Sequence, residues 1–539
     1  MRGRRSIIPL LALFTASAVP AAAQHHGGGQ ATTPDDAPVT LYTEALGAWT
    51  WPVSTASADA QAYFSQGAKL MYAFTPPEAR RAFEEARRRD PQCAMCWWGE
   101  AWSMGPYLNG PMRPEDAAAA HAAARRAREL VDARGTPVER ALVEAMLSRY
   151  AETHPEGGRK GLDSAFAAAM EGVYARFPDD LEVATLYADA LMVLEPRRGI
   201  WPVSKPSVAR IHQVLAGALA ADVAHPGACH LYIHATETTP AAGEAQTCAD
   251  LLVNAMPGAS HLNHMPSHTY NRMGRWDDAV VSNQIAWASD RRAAEGTAVS
   301  VYPAHNLHML LFAAAMDGQA ARAVEAADAY GALTPSGDGA SLQALTRVRF
   351  GRWDEVLSLA AAPPHAIHRG LWAFARGHAH LRLGRADSAA AYLAQVDSLA
   401  QHTPETLTFR GHTAPALLGV VGGILRAELL RSEGRMEDAI AALEQAVVRE
   451  DALTYDEPEP LPFAARDWLG AALLEAGRAA DAERVYRAAL DDRPHNGWSL
   501  FGLEQALRAQ NRTADADEAR DRFYQAWARS DVWLQGSRY

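Results

Sequence analysis

Helical punctuation recurs along this chain at a nearly fixed spacing, which constrains its architecture more than any other feature. A Gly-Arg pair followed by an Asp/Glu/Ala-rich helix start stands at Gly274, Gly351, Gly384, Gly434 and Gly477. With Gly318, which ends a similar segment, the successive intervals from Gly274 are 44, 33, 33, 50 and 43 residues. The base period is therefore about 34 residues, with insertions. Between the glycines run apolar-periodic segments of about fourteen residues, and strand-like alternation is nearly absent. Short turns between amphipathic helices give antiparallel pairs. One pair cannot bury its apolar face alone, so pairs must stack.

Two stretches carry a known repeat pattern. Residues 60–91 supply Tyr63, Gly67, Ala79, Phe83, Ala86 and Pro91, and residues 463–494 supply Gly470, Ala482, Tyr486, Ala489 and Pro494. These positions resemble the tetratricopeptide repeat: a small residue early in the first helix, two alanines flanking an aromatic, and a closing proline. Small residues are needed where paired helices approach closely, while the aromatic fills the gap to the next repeat. The resemblance implies an all-α, tetratricopeptide-like α-solenoid, a right-handed superhelix of antiparallel helix pairs. The expected organisation is a signal peptide over 1–23, a polar segment over 24–55, repeats with a histidine-lined groove over 56–335, and C-terminal repeats over 336–539. Longer loops fall at 105–114, 196–206, 293–303, 402–415 and 450–462, and loops of this length often cover a face or a groove. The loop at 450–462 is acidic and proline-rich, and reads as a solvated linker.

The repeat register organises the histidines. In tetratricopeptide arrays the first helix of each pair lines the concave groove, mainly through the second, fifth, ninth and twelfth places. A repeat anchored on Gly274 starts at Ser260 and puts His261, His264 and His268 second, fifth and ninth. Anchoring on Gly318 puts His305 and His308 second and fifth, and a start at Pro226 puts His230, His234 and Glu237 fifth, ninth and twelfth. Three consecutive first helices would then aim imidazoles into one groove. Neighbouring helices pack about 8–10 Å apart, a gap that two inward imidazoles can close onto a shared ion. Pro266 interrupts this pattern. It can turn His264 and His268 toward one point, or spoil the periodicity.

All-imidazole ligation with one carboxylate suits zinc, copper or iron, and argues against calcium or magnesium. Six histidines (His230, His234, His264, His268, His305 and His308) could hold a dinuclear copper pair, three to each ion. A single ion with three or four histidines is the simpler arrangement. Glu237 is the candidate catalytic residue, as a general base on metal-bound water, a ligand, or a partner to a ligand. Trp98 and Trp102, with Tyr107 and Asn109 in the following loop, form a candidate aromatic groove wall that includes Tyr270 and Asn271. In that register Trp97 takes the packing place. No Gly-rich phosphate loop, nucleophile elbow or H-E-x-x-H motif is present. The competing class is a metal-free scaffold that docks a peptide or protein in its groove.

The first residues set the expected compartment. Arg2, Arg4 and Arg5 precede an apolar run over 7–14 and then Ala21-Ala22-Ala23, the form of a secretory signal peptide. Its removal takes the net charge from −12 to −15, and an acidic protein repels phosphate backbones, so nucleic acid is not expected as a partner. The expected location is periplasmic or secreted, with no membrane span. Four cysteines in an oxidising compartment suggest disulfides. Cys229 and Cys248 are the favoured pair, because the turn near 238–241 would bring them together in a helix hairpin. Cys93 and Cys96, one helical turn apart, could be a disulfide, thiols or ligands. The segments Cys93–Cys96 with Trp97 and Trp98, 230–237, 265–270, 303–308 and Asn496-Gly497-Trp498 also resemble a group of exported bacterial tetratricopeptide proteins.

Overall fold

The computed structural model describes residues 39–196, 201–334, 336–359 and 361–539; the expected signal peptide and much of the polar segment after it lie outside this range. Helices follow one another throughout, with one two-stranded hairpin pairing Thr408–Phe409 with His412–Thr413. The chain is an all-α, tetratricopeptide-like solenoid. Antiparallel pairs include Ala58–Tyr72 with Pro76–Arg89, Pro303–Met316 with Ala320–Leu333, and Ala465–Glu475 with Ala479–Asp492.

The repeat residues do the packing that their chemistry allows. A side chain at Gly67 or Gly99 would lie 2.6 or 2.4 Å from the Phe83 ring, which wedges between its own repeat and the next. Tyr486 sits in the same way between Gly470 and Gly502. The turn glycines share positive φ, and Gly274 shows why. It ends Pro266–Met273 in the left-handed conformation (φ 71°), so the Arg275 amide can reach back to the Tyr270 carbonyl at 2.9 Å. A Cβ there would also meet the Pro494 carbonyl oxygen at 1.9 Å.

That contact shows that the array curls back on itself. The indole nitrogen of Trp276 donates to the Pro494 carbonyl (3.1 Å), and that of Trp498 to the Ala315 carbonyl (3.0 Å). Asp531 accepts from the Ala320 and Ala321 amides, satisfying the open N-terminus of Ala320–Leu333. Arg349 and Asp467 form a fully buried ion pair at 2.7 Å, with the guanidinium over the Trp498 ring. Among the described residues no helix is long and apolar enough to cross a membrane.

The structure pairs Cys229 with Cys248, joining Pro226–Glu237 to Gln246–Leu252, and pairs Cys93 with Cys96. The expected aromatic wall needs correction. Trp98 and Trp102 are 1% and 3% exposed and pack edge-on against Trp51, because the segment after residue 38 fills the space their groove would have occupied. Trp97, expected to pack, is the more exposed ring and stacks beneath Arg87. The loop at 450–462 is not a solvated linker either. Arg410 holds Asp456, Arg493 holds Glu450 and Glu459, and Leu461 and Phe463 anchor its end in the core. Its charges are neutralised by arginines remote in sequence, which local composition cannot reveal.

Candidate metal centre

The site begins with a broken helix. Ser260–His264 and Pro266–Met273 meet at Met265, where Pro266 supplies no amide donor and opens the second segment as its first residue. The break turns His264 and His268 toward one point, with their Nε2 atoms 2.7 Å apart. Pro226–Glu237 contributes His230 and His234, and the start of Pro303–Met316 contributes His305. Six imidazoles thus gather into two groups of three: His230, His234 and His261, and beside them His264, His268 and His305. Within each group the available ligand atoms all lie within 4.8 Å of one another. The groups adjoin, with ring centroids 5.6 Å apart for His234 and His268 and 5.7 Å for His261 and His264.

Hydrogen bonds behind the rings decide which nitrogen points inward. His230 Nδ1 donates to the Tyr72 carbonyl at 2.6 Å, which fixes that proton because a carbonyl can only accept. His264 Nδ1 donates to the Asn283 side-chain oxygen (2.8 Å), and the Asn283 amide group is oriented by its own bond to the Ala279 carbonyl. His234 Nδ1 donates to Glu237 Oε1 (2.8 Å) and His268 Nδ1 to Glu237 Oε2, with Glu457 Oε2 at 3.0 Å from His268 Nδ1 as an ion-pair contact. Four rings therefore carry their neutral-state proton on Nδ1 and direct the Nε2 lone pair to the centre. This backing is characteristic of metal-bound histidine. The Nε2 atoms of His230 and His234 have no hydrogen-bond partner, and His261 has none on either nitrogen, although all three are buried.

The electrostatics follow from enclosure. Burial, with the neighbouring rings, holds His230, His261 and His305 well below the ordinary imidazole range. Burial and the facing His268 push His264 down to about 3. Burial also opposes charge on His268, but Glu237 and Glu457 outweigh it and push that ring up to about 10. Two Nε2 lone pairs at 2.7 Å repel one another unless a cation stands between them or a proton joins them.

Two aromatic side chains enclose the first group. Phe74, with φ 56°, lies 4.2 Å from His230 and stacks at 5.8 and 5.4 Å on His234 and His261. Tyr302 meets His261 edge-on, and its hydroxyl lies 2.9 Å from that of Tyr107. The second group is open on one side. His268 lines a cavity of about 420 Å³ between Pro266–Met273 and the 450–462 segment, which lies over the site as a strap and brings in Tyr455 and Glu457.

Several expected positions fall elsewhere. His308 joins neither group. It sits one turn farther along its helix, buried near the Tyr330 ring at 5.8 Å, and His261 takes the place assigned to it. Glu237 does not line the cavity; it is tied to His234, His268 and the Tyr455 hydroxyl (3.1 Å), and with His234 and Glu457 it forms a third group of ligand atoms within 4.8 Å of one another. Tyr270 turns away to Asp250 beneath Arg275, whereas Asn271 does line the cavity. Tyr107 packs on Phe74, and Asn109 is buried in its loop. The sequence reading missed Phe74, Asn283, Tyr455 and Glu457. Asn283 carried a local signal, a polar side chain among the buried positions of Trp276–Ala293, and the length of the 450–462 loop was the signal for Tyr455 and Glu457.

No known family profile matches the sequence, and no curated protein matches it. Among solved structures, the human IFIT1 dimer with m7Gppp-AAAA is 12% identical, with 88% of this chain and 91% of that chain covered and a TM-score of 0.30. The P58(IPK) TPR domain is 11% identical, with 85% and 99% covered and a TM-score of 0.21. Superpositions this loose carry no argument about what this chain binds.

Proposed function

We propose that this solenoid is a metalloprotein holding two transition-metal ions side by side, one on His230, His234 and His261 and the other on His264, His268 and His305. The observation that carries the reading is the inward aim of four buried Nε2 atoms, unpartnered on His230 and His234 and facing each other at 2.7 Å on His264 and His268, while a carbonyl, a carboxamide and the Glu237 carboxylate hold their Nδ1 sides. Burying so many imidazoles without partners is costly, and a cation shared by three of them offsets the cost. Ligand nitrogens about 2.0–2.1 Å from an ion stand some 3.3 Å apart, which small ring rotations reach from the present spacing. A set of six imidazole ligands favours copper, zinc or iron. Three protein ligands per ion leave each with an open position, the arrangement of a reactive and not merely structural site.

The competing reading, a metal-free groove that docks an extended peptide, is less well supported because the strap already lies across this part of the groove. The Arg-rich, apolar start of the sequence supports export, and a periplasm or extracellular space would suit both disulfides. Elemental analysis of the full chain purified without a polyhistidine tag tests the reading. About two ions per chain are expected; less than about 0.2 per chain, with no uptake on titration, would overturn it.

A further inference from the structure

The cavity beside the second histidine group has one feature that no metal explains. Three arginines line it, and two are neutralised: Arg466 pairs with Asp451, and Arg493 with Glu450, Glu459 and Asp492. The other carboxylates on the wall are also engaged, Asp456 by Arg410 and Glu457 by His268. Arg272 has no such partner among the described residues. Its Nε is buried without a hydrogen bond, and the buried side-chain oxygen of neighbouring Asn271 is equally unpartnered. Arg272 follows His268 by four residues on Pro266–Met273, so the two share a helix face about 5–6 Å apart at Cβ. Part of the lining is apolar: Trp276 and Phe312, ring centroids 6.2 Å apart, pack with Met316 outside the main core, and Met309 also lines the cavity.

We infer that the centre acts on a small organic carboxylate, whose anionic group pairs with Arg272 while its flat apolar body lies on Trp276 and Phe312 and reaches toward the ion at His268. A guanidinium fork matches a carboxylate in two parallel hydrogen bonds. A volume of about 420 Å³ holds one aromatic or short-chain acid, at the lower end of ordinary ligand pockets. Carboxylates outnumber arginines on the wall, but each already contacts a cationic side chain, with Glu450, Glu459 and Asp492 sharing Arg493. Approach from this side also explains why only the second group needs an opening, since Phe74 seals the first. The carboxylate contact is independent of the metal reading; the reach toward His268 rests on it.

Calorimetric titration of the full chain, metal-free and zinc-loaded, with benzoate, benzamide and benzylamine tests the inference. Benzoate should bind both forms and exceed benzamide and benzylamine, and Arg272→Gln should weaken benzoate about tenfold or more while leaving benzamide unchanged. Arg272→Lys should recover part of the loss, and an unchanged melting temperature would show that the variants fold. Equal benzoate affinity in Arg272→Gln, preference for benzylamine, or no benzoate binding to either form would overturn the inference. A chain that takes up no zinc yet binds benzoate through Arg272 would overturn the metal reading alone.

Discussion

Glu237→Gln is the substitution that probes both histidine groups at once. Its carboxylate accepts from His234 of the first group and from His268 of the second, with the Tyr455 hydroxyl as a third donor. Glutamine keeps the size but replaces one acceptor oxygen with an amide NH2, which cannot accept. With its oxygen toward His234, the NH2 group faces the N–H of His268 and only Glu457 remains behind that ring. Losing a hydrogen bond to a charged group costs about 1.5–3 kcal/mol, and both rings lose the negative charge that raises their basicity. Disrupting the partner of a metal-bound histidine typically costs about 10–100-fold in affinity, so both ions should weaken by that order, the second more than the first. Competition against a chromophoric chelator would resolve the two affinities, with circular dichroism reporting helix content. Unchanged affinity at both sites in a folded variant would refute the role assigned to this carboxylate and the inward aim of the rings it holds.

Two further predictions concern the scaffold. Asp467→Ala should leave Arg349 charged and buried, lowering stability by about 3–5 kcal/mol in urea unfolding, whereas adding Arg349→Met should recover most of it. Burial pushes Asp290 up to about 6 despite its bonds from Ser300 and Asn306, so its folded-state pKa lies above the unfolded value near 3.8. The folded state then holds the extra proton, and this residue's contribution to stability falls as pH rises from about 4 to about 6, by about 2–3 kcal/mol. Asp290→Asn should flatten that part of the stability profile; an unaltered slope would exclude this source.

Much of the architecture was written locally. Gly67 with Phe83 and Gly470 with Tyr486 are close enough in sequence for their spacing to show that one fills the gap left by the other. The histidines were legible for the same reason, since a repeat register states which face a side chain occupies. The register could not say where the solenoid's curl carries each face. It grouped His308 with the centre, yet one further helical turn takes that ring to Tyr330. It placed Trp98 and Trp102 in the groove because a segment from the preceding chain, including Trp51, is invisible to a repeat count.

By itself, then, the sequence determined a stacked-hairpin solenoid and a central run of imidazoles, because periodicity and turn chemistry act over a few residues. Only the tertiary structure decided the division into two groups of three, the Phe74 cover, the Asn283 and Glu237 backing and the strap over His268. Those features join residues as far apart as Glu237 and Tyr455. Contacts at that separation are set by how repeats curl and close on one another, which no local pattern encodes.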